Sequence, residues 1–309
     1  LAGAPRVSPG RAGVGRADGL RKLQTARGLG SERADLGAVL LTAAAAAGKT
    51  GLISQVVVSS VDADVDDELL IPIVVKLQLL QTRLLDTPDA FATAWNWVDA
   101  YVKLEWQGAE GCHRMLRQAM MARRALLLLD GLDEGGARRE AIERHVTEVL
   151  APQGHTILAT SRPDGIDDKR FAGWRRLGLS PLTDKQQEEA LSLRLGAEHT
   201  GSLLPYLRRM PVQGTTGLRI TANPLMLSMV ASIFEVRGTE VDMPDSIVEL
   251  YDLATSAMLG RAGGETSTDL KALLPAVFFA AHTSRGRVIR DQRLDAAART
   301  VCCSGETLG

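Results

Sequence analysis

The sequence predicts an α/β fold built on a parallel sheet, and three features favour this class. Short apolar runs alternate with amphipathic stretches from about residue 36 onward. Each run is apolar throughout, which is typical of parallel strands that are covered on both faces. Polar residues follow several of the runs, at the sheet edge where α/β proteins bind ligands. The expected strands are Leu36–Thr42, Ile71–Leu77, Ala125–Asp130 and Thr156–Thr160.

The pattern along the chain divides it into four segments. The first is rich in Gly, Arg and Ala without periodicity, so we expect a linker or flanking segment. The second holds the strands, and a helix is expected at Arg138–Leu150. The third and fourth are mainly helical by pattern and begin near capping boxes, Thr183 with Gln186 and Ser246 with Glu249. The segments are residues 1–30, 31–180, 181–238 and 239–309.

Composition limits the environment and the partners. The 309 residues carry a net charge of −1, which gives no bulk electrostatic reason to expect nucleic acid or an anionic membrane as a partner. The three cysteines do not form a disulfide framework, so we expect a reducing, cytoplasmic location. The apolar run from Leu36 to Ala47 is shorter than the roughly 20 residues that span a bilayer. Because the chain begins at Leu1 and ends without a terminal signature, we expect a part of a longer protein.

A candidate phosphate loop follows the first expected strand. Residues 43–50 read AAAAAGKT and match G-x-x-x-x-G-K-S/T from the second glycine onward. Gly48 allows close backbone approach, Lys49 is placed to reach the β- and γ-phosphates, and the Thr50 hydroxyl is placed to ligate Mg²⁺. A buried helix is expected next. The candidate nucleotide-binding residues here are Ala43, Ala46, Ala47, Gly48, Lys49, Thr50 and Gly51.

Alanines replace two glycines of this loop pattern. Ala43 stands at the first position and Ala46 at a frequent inner one. A Cβ atom at positive φ costs about 1–2 kcal/mol, so the loop is expected to be strained or altered in affinity. The alternative is an alanine-rich helix that happens to end in Gly-Lys-Thr.

Acidic residues follow the third expected strand, where residues 125–134 read ALLLLDGLDE. Asp130 is the candidate ligand of Mg²⁺, and Asp133 or Glu134 is the candidate group that orients or deprotonates the attacking water. The alternative is a buried strand followed by a polar turn.

The fourth strand ends in TSRP, which predicts Arg162 beside the γ-phosphate as a catalytic cation. The alternative there is a surface arginine that caps a loop.

Together these residues resemble the NACHT family of STAND-class P-loop ATPases, which are relatives of the NOD-like receptors. Gly48-Lys49-Thr50 resembles its Walker A element, residues 126–134 its Walker B element, and residues 160–163 its sensor-1 element. Further similarities cover about residues 36–260: Leu179, Pro181 and Leu182; Ala222-Asn223-Pro224-Leu225; Met243-Pro244; and Glu249-Leu250-Tyr251.

The resemblance implies a three-layer P-loop sandwich over residues 31–180, a small helical domain over 181–238 and a truncated winged helix over 239–309. It implies an ATP/ADP-binding signalling switch that uses Mg²⁺, hydrolyses ATP slowly, and opens and self-associates on nucleotide exchange. Pro224 is expected to pack on the adenine. Effector and sensor domains flank this core in the family and are missing from the chain. The family's winged-helix histidine is not found, because the sequence around His282 does not match.

Two other functions remain open on the residues alone. One is a scaffold that binds nucleotide through the altered loop without hydrolysing it. The other is a helicase-like motor ATPase, since some helicases begin this loop with alanine, although further nucleic-acid motifs are not visible. ATP and GTP are not distinguished by the residues, and ATP follows from the resemblance. Trp95, Trp97 and Trp106 favour packing or surface roles over base stacking.

Overall fold

The computed structural model describes residues 37–61, 70–212, 217–237, 244, 246–261 and 273–279, and the single positions 295 and 299. The expected linker, Leu36, Met243 and His282 lie outside these residues, as does most of the expected winged helix. The chain divides into two compact units, Leu1–Ser180 and Pro181–Gly309. Each unit has its own hydrophobic core.

Five parallel strands form the sheet of the first unit, in the order β2-β3-β4-β1-β5. The four expected strands are present. Two of their ends differ by one residue, because Leu77 begins a helix and Ser161 extends β4, and β1 begins at Ala38 rather than at Leu36, because Gly37 is a bend. The fifth strand was not expected, since its sequence RRLG is mostly exposed and carries no apolar run. The strands are β1 Ala38–Thr42, β2 Ile71–Lys76, β3 Ala125–Asp130, β4 Thr156–Ser161 and β5 Arg175–Gly178.

Both faces of the sheet are covered, which confirms the α/β sandwich. Side chains alternate along each strand. Leu40, Leu127 and Ile157 belong to a large core on one face, whereas Leu128 and Leu158 belong to a smaller core on the other. Burial on both faces explains why β1, β3 and β4 read as unbroken apolar runs.

Helices of the first unit flank this sheet. The residues Ile53 and Val56 of α1 cover the smaller core, but Val58 is 51% exposed, so this helix is less buried than expected. The expected helix at Arg138–Leu150 begins one residue later as α6, and its last turn widens into a π-helical segment over Val146–Leu150. The helices are α1 Lys49–Val61, α2 Leu77–Asp86, α3 Pro88–Ala92, α4 Trp97–Glu105, α5 Glu110–Met121 and α6 Arg139–His145.

The regular structure described in the second unit is helical, apart from an isolated bridge between Val212 and Arg219. The capping box at Thr183 and Gln186 forms as expected at the start of α7. At the start of α10 the Glu249 N–H donates to Ser246 Oγ at 3.1 Å. The helices are α7 Asp184–Leu195, α8 Ala197–Arg209, α9 Pro224–Arg237 and α10 Ile247–Arg261. Within the described part of the chain, no helix is long and apolar enough to cross a membrane.

Candidate functional site

The phosphate loop connects β1 to α1 at the carboxyl edge of the sheet. The Ala43 N–H donates to the Ser161 carbonyl of β4 at 3.1 Å, which fixes the start of the loop. Gly48 has a φ of 93° and Ala46 a φ of 59°. Helix α1 then begins at Lys49, so the loop backbone leads directly into a helix N-terminus. This strand–loop–helix geometry suits phosphate binding by backbone N–H groups, and the alternative of a plain alanine-rich helix is wrong.

Of the loop alanines, Ala46 has the backbone strain that was expected. Ala46 occupies the left-handed region, where a Cβ atom is costly, whereas Ala43 is not among the described residues with positive φ. Ala43 is instead 4% exposed and directly follows the last residue of β1. Ala47 is half-buried and donates its N–H to the Ala44 carbonyl at 3.4 Å. Gly51 faces open space within α1.

The Lys49 ammonium is held over the loop. Its Nζ donates to the Ala43 carbonyl at 3.0 Å and to the Ala44 carbonyl at 3.1 Å. These bonds place the charge beside the backbone that begins the loop. A phosphate oxygen can replace either carbonyl as an acceptor, because an ammonium group has three rotatable donors.

Asp130 lies at the centre of a network that joins three elements. The Thr50 hydroxyl donates to Asp130 Oδ2 at 2.8 Å, and the Thr160 hydroxyl donates to Asp130 Oδ1 at 2.8 Å. The Gly131 N–H in turn donates to Thr160 Oγ1 at 2.9 Å. The first helix residues, the end of β3 and the end of β4 therefore meet at one carboxylate, with β4 lying between β1 and β3.

Asp133 and Arg162 form a second pair at the same edge. The side chain of Asp133 is 3% exposed, and its Oδ2 lies 3.0 Å from Arg162 Nε. The Arg162 backbone N–H also donates to Asp133 Oδ1, at 3.1 Å. Arg162 therefore does not only cap a loop, because a buried carboxylate holds both its backbone and its guanidinium.

Glu134 is the acidic residue of this group that stays exposed. Partial burial, together with the neighbouring negative charges of Asp133 and Asp130, raises the pKa of its carboxyl, and the cations Arg162 and Lys49 oppose that shift. A raised pKa makes a carboxylate a stronger base. Of the two candidate bases, Glu134 is thus the accessible one and Asp133 the one already paired.

Two glycines leave space for the side chains of Glu134 and Asp133. Gly131 has a φ of 82°, and a Cβ atom there would lie 3.0 Å from the Glu134 side chain. Gly165 lies after the fourth strand, and a Cβ atom there would collide with the Cβ of Asp133. Gly165 and the hydroxyl of Thr160 were not predicted from the sequence. TSRP includes Thr160, but no local pattern reports a bond to a residue 30 positions earlier.

The residues present fit a magnesium nucleotide. Thr50 and Asp130 bring a hydroxyl and a carboxylate oxygen within 2.8 Å of each other, and both are the hard oxygen ligands that Mg²⁺ prefers. Magnesium sites in such proteins use one or two protein ligands together with phosphates and water. Gly48, Lys49 and the start of α1 supply the phosphate-binding part beside them.

Pro224 lies in the second unit, as the first residue of α9. The Leu225 N–H donates to Asn223 Oδ1 at 2.9 Å, and the Leu227 N–H donates to the Asn223 carbonyl. Asn-Pro therefore starts a helix in the usual way, with a capping side chain followed by a residue that lacks an N–H. Its packing on adenine remains a prediction.

Comparison with known proteins finds no match in sequence and some solved structures that are similar at low TM-scores. No family model matches the chain, and neither does any curated protein. Solved structures of the replication initiator DnaA are similar at 13–15% identity with TM-scores of 0.44–0.45. One is bound to AMPPCP and single-stranded DNA (covering 94% of this chain and 78% of that one), and one from Aquifex aeolicus is bound to AMPPCP (93% and 78%). Another is domain III from Thermotoga maritima (79% and 94%).

The structure bound to single-stranded DNA corrects one expectation. A net charge of −1 suggested that nucleic acid is not a partner, and a protein of similar fold in complex with single-stranded DNA overturns that exclusion. The reason is physical, since net charge averages over the whole surface and does not report local clusters of cations. The sheet, the phosphate loop and the acidic strand end together show that this chain has a P-loop NTPase fold.

Proposed function

We propose that this chain is the nucleotide-binding core of a NACHT-type ATP/ADP signalling switch with slow ATP hydrolysis. One observation carries the proposal: Asp130 accepts hydroxyl bonds from Thr50 and Thr160 at 2.8 Å each. A carboxylate held in this way next to a helix that starts with Lys49 is arranged for a magnesium nucleotide. ATP rather than GTP follows from the family resemblance.

Binding would use the residues of the loop and the first strand ends. The N–H groups at the start of α1 and the Lys49 ammonium would hold the phosphates. Thr50 and Asp130 would hold Mg²⁺, which supplies positive charge against the phosphate oxygens. Ala43, Ala46, Ala47, Gly48 and Gly51 would contribute backbone rather than side chains.

In hydrolysis, the two acids after β3, Asp133 and Glu134, would have different roles. Glu134 is exposed and has a raised pKa, so it would orient the attacking water and accept its proton. Asp133 is buried and paired, so it would hold Arg162 in place instead. Arg162 would then respond to the γ-phosphate, because a guanidinium held by a single carboxylate keeps donors for a second anion.

The switch would rest on the difference of one phosphoryl group. A ligand shifts a conformational equilibrium only by its differential affinity for the two states. Contacts of Arg162 and Lys49 with a γ-phosphate would provide that difference. In the family, exchange of ADP for ATP opens the helical and winged-helix domains, here residues 181–238 and 239–309, and permits oligomerisation. Pro224 would contact the adenine in the closed form.

A nucleotide-bound scaffold without turnover is the second candidate. Ala46 favours it, since a side chain at φ 59° makes the loop less able to adjust around transferred phosphate. The two candidates share the binding residues and differ only in hydrolysis. Mutation of Glu134 therefore separates them, whereas mutation of Lys49 does not.

Bound nucleotide is the first measurement. The purified chain is denatured and the released nucleotide is identified by chromatography, with Lys49→Ala and a control, Lys169→Ala, on an exposed loop. We expect close to one ADP or ATP per chain in the wild type and in Lys169→Ala, and none in Lys49→Ala. If well-folded wild type carries none and does not bind added Mg·ATP, the proposal fails.

Turnover is the second measurement. We expect slow release of phosphate from Mg·ATP by the wild type and about a hundredfold less from Glu134→Gln, with nucleotide binding retained in both. Bound nucleotide with no release of phosphate from the wild type would assign the scaffold instead. A rate that rises on addition of DNA or RNA would favour the motor ATPase.

A further inference from the structure

A cavity of about 450 Å³ lies in the first unit where the chain passes from α4 into α5. It shares no described lining residue with the phosphate loop. Cationic side chains and one tryptophan dominate its wall. The lining residues that matter here are Lys103, Trp106, Glu110, His113, Arg114 and Arg117.

A buried carboxylate fixes part of this wall in place. The side chain of Asp99 is 5% exposed, and it accepts from Arg117 Nη1 at 2.9 Å. Its other oxygen lies 3.0 Å from His113 Nε2, which makes that nitrogen the donor when the carboxylate is ionised. The Asp99 N–H donates to the capping side chain of Asn96 at 2.9 Å, so the carboxylate is itself held. Arg117 is thus preorganised, with further N–H donors unused by this contact.

The remaining charges leave the cavity positive. Lys103 and Arg114 are exposed, and neither forms an ion pair with any described residue. Glu110 is the carboxylate among the described lining residues. The cavity thus has three cations, Lys103, Arg114 and Arg117. It has two carboxylates, Glu110 and the Asp99 that contacts Arg117. Two of the cations are therefore available to an anionic ligand.

Trp106 gives the cavity a planar apolar surface. It is 49% exposed, whereas Trp95 and Trp97 pack against the core and fill the packing role expected of them. A large aromatic side chain left half in water beside free cations is typical of sites that stack a planar ring. The volume also lies within the usual range for small-ligand sites.

We propose that this cavity binds a nucleotide unit, with its phosphate held by Lys103, Arg114 and Arg117 and its base stacked on Trp106. The proposal does not depend on the phosphate loop, because none of these residues belongs to it. Two sources present the same chemistry: a free mononucleotide, and one unit of a single-stranded nucleic acid. The experiment distinguishes them.

Binding is measured on the full chain freed of bound nucleotide, by anisotropy of a fluorescent short oligothymidylate and by competition with dTMP. We expect binding by the wild type that weakens about tenfold in Arg114→Glu and in Trp106→Leu. Arg175→Glu is the matched control, because Arg175 is an exposed arginine on β5, at the sheet edge opposite β2. It and Lys49→Ala should bind as the wild type does. Retained binding by Lys49→Ala separates this site from the phosphate loop.

The competition identifies the source. Displacement of the oligonucleotide by dTMP assigns a free mononucleotide site, and binding of the oligonucleotide without displacement assigns a unit within a strand. Three results overturn the proposal: no binding of either probe, equal weakening by Arg175→Glu, or equally good competition by polyglutamate, which would indicate a site for any polyanion. Melting temperatures equal to that of the wild type show that the variants are folded.

Discussion

Asp133 and Arg162 contact each other at two points, through a guanidinium Nε 3.0 Å from Oδ2 and a backbone N–H 3.1 Å from Oδ1. The two contacts have different requirements. The backbone bond needs only an oxygen acceptor, whereas the guanidinium contact needs a negative charge. The Asp133 side chain is 3% exposed and that of Arg162 is 44% exposed. Solvent therefore screens this ion pair from the Arg162 side only.

A double-mutant cycle of Asp133→Asn and Arg162→Ala is the first prediction. Asparagine keeps the acceptor for the backbone bond and removes the charge, so the coupling measures the guanidinium contact. We expect a coupling free energy of about 1 kcal/mol in urea denaturation, reduced from that of a fully buried pair by the exposure of Arg162. As the control cycle, Asp133→Asn with Arg175→Ala should be additive within about 0.5 kcal/mol. Additivity in the first cycle as well would show that the pair does not position Arg162.

The backbone of the phosphate loop gives the second prediction. At a φ of 59°, the Cβ atom of Ala46 destabilises the folded state by about 1–2 kcal/mol relative to glycine. Glycine in turn stabilises the unfolded state by about 0.4–1 kcal/mol, because its backbone has more conformational entropy there. We therefore expect Ala46→Gly to raise the free energy of unfolding by about 0.5–1 kcal/mol. Ala44→Gly is the control, since Ala44 is not among the described residues with positive φ, and it should lower stability. Equal effects of the two changes would contradict the strain at Ala46.

The hydroxyl of Thr160 gives the third prediction. Thr160→Val keeps the shape of the side chain but leaves the Gly131 N–H and Asp130 Oδ1 without this partner in a fully buried place. We expect a loss of about 1–3 kcal/mol in stability, and weaker binding of Mg·ATP relative to metal-free ATP. Thr160→Ser retains the hydroxyl and should keep the magnesium preference. A valine variant with unchanged stability and magnesium preference would show that Asp130 does not need this bond.

The sequence predicts this fold well at the strands that are buried on both faces, because such strands are continuous apolar runs. The runs that became β1, β3 and β4 are apolar because side chains on both of their faces are buried. The edge strand β2 buries Ile73 and Val75 but leaves Val74 37% exposed, so its apolar run exceeds its burial. The fifth strand is exposed, so its residues form no apolar run. No residue type in the sequence marks the π-helical turn at Val146–Leu150.

The candidate site shows the same limit. Motif spacing placed Lys49, Thr50, Asp130 and Arg162 at one edge, because the carboxyl ends of parallel strands meet there. The partners of these residues could not be predicted, since hydrogen bonds across strands depend on register. Thus the division between a paired Asp133 and an exposed Glu134 follows only from the structure.

The fit of Gly165 against Asp133 gives the fourth prediction. Because a Cβ atom at Gly165 would collide with that of Asp133, Gly165→Ala must move the acid or the short 3-10 helix that holds the glycine. We expect a loss of about 1–3 kcal/mol in the free energy of unfolding, as for other overpacked sites. Gly173→Ala meets no atom within 4 Å and should be close to neutral. Thermal melting of both variants is the test, and matching melting temperatures would contradict the close fit.

Two histidines of the first unit, the half-buried His145 and the buried His155, give the last prediction, a loss of stability in mild acid. Burial lowers the pKa of His145 and of His155 to about 4, with Arg123 adding to the effect at His155. His145 Nε2 accepts the Trp97 backbone N–H at 3.0 Å, so a proton there would break that bond. Among the described residues, His155 Nδ1 has no hydrogen-bond partner to receive a new N–H.

The direction of the effect follows from which state takes up protons first. The unfolded chain binds them near pH 6.5 and the folded chain only near pH 4, so the stabilisation is complete above pH 6.5 and is lost as the pH falls toward 4. We expect each histidine to contribute a loss of about 1–2 kcal/mol between pH 7 and pH 5 in urea denaturation. Glutamine cannot titrate and can still accept from Trp97, so His145→Gln should flatten this dependence, and adding His155→Gln should flatten it further. An unchanged slope in the double variant would assign the acid sensitivity to other groups.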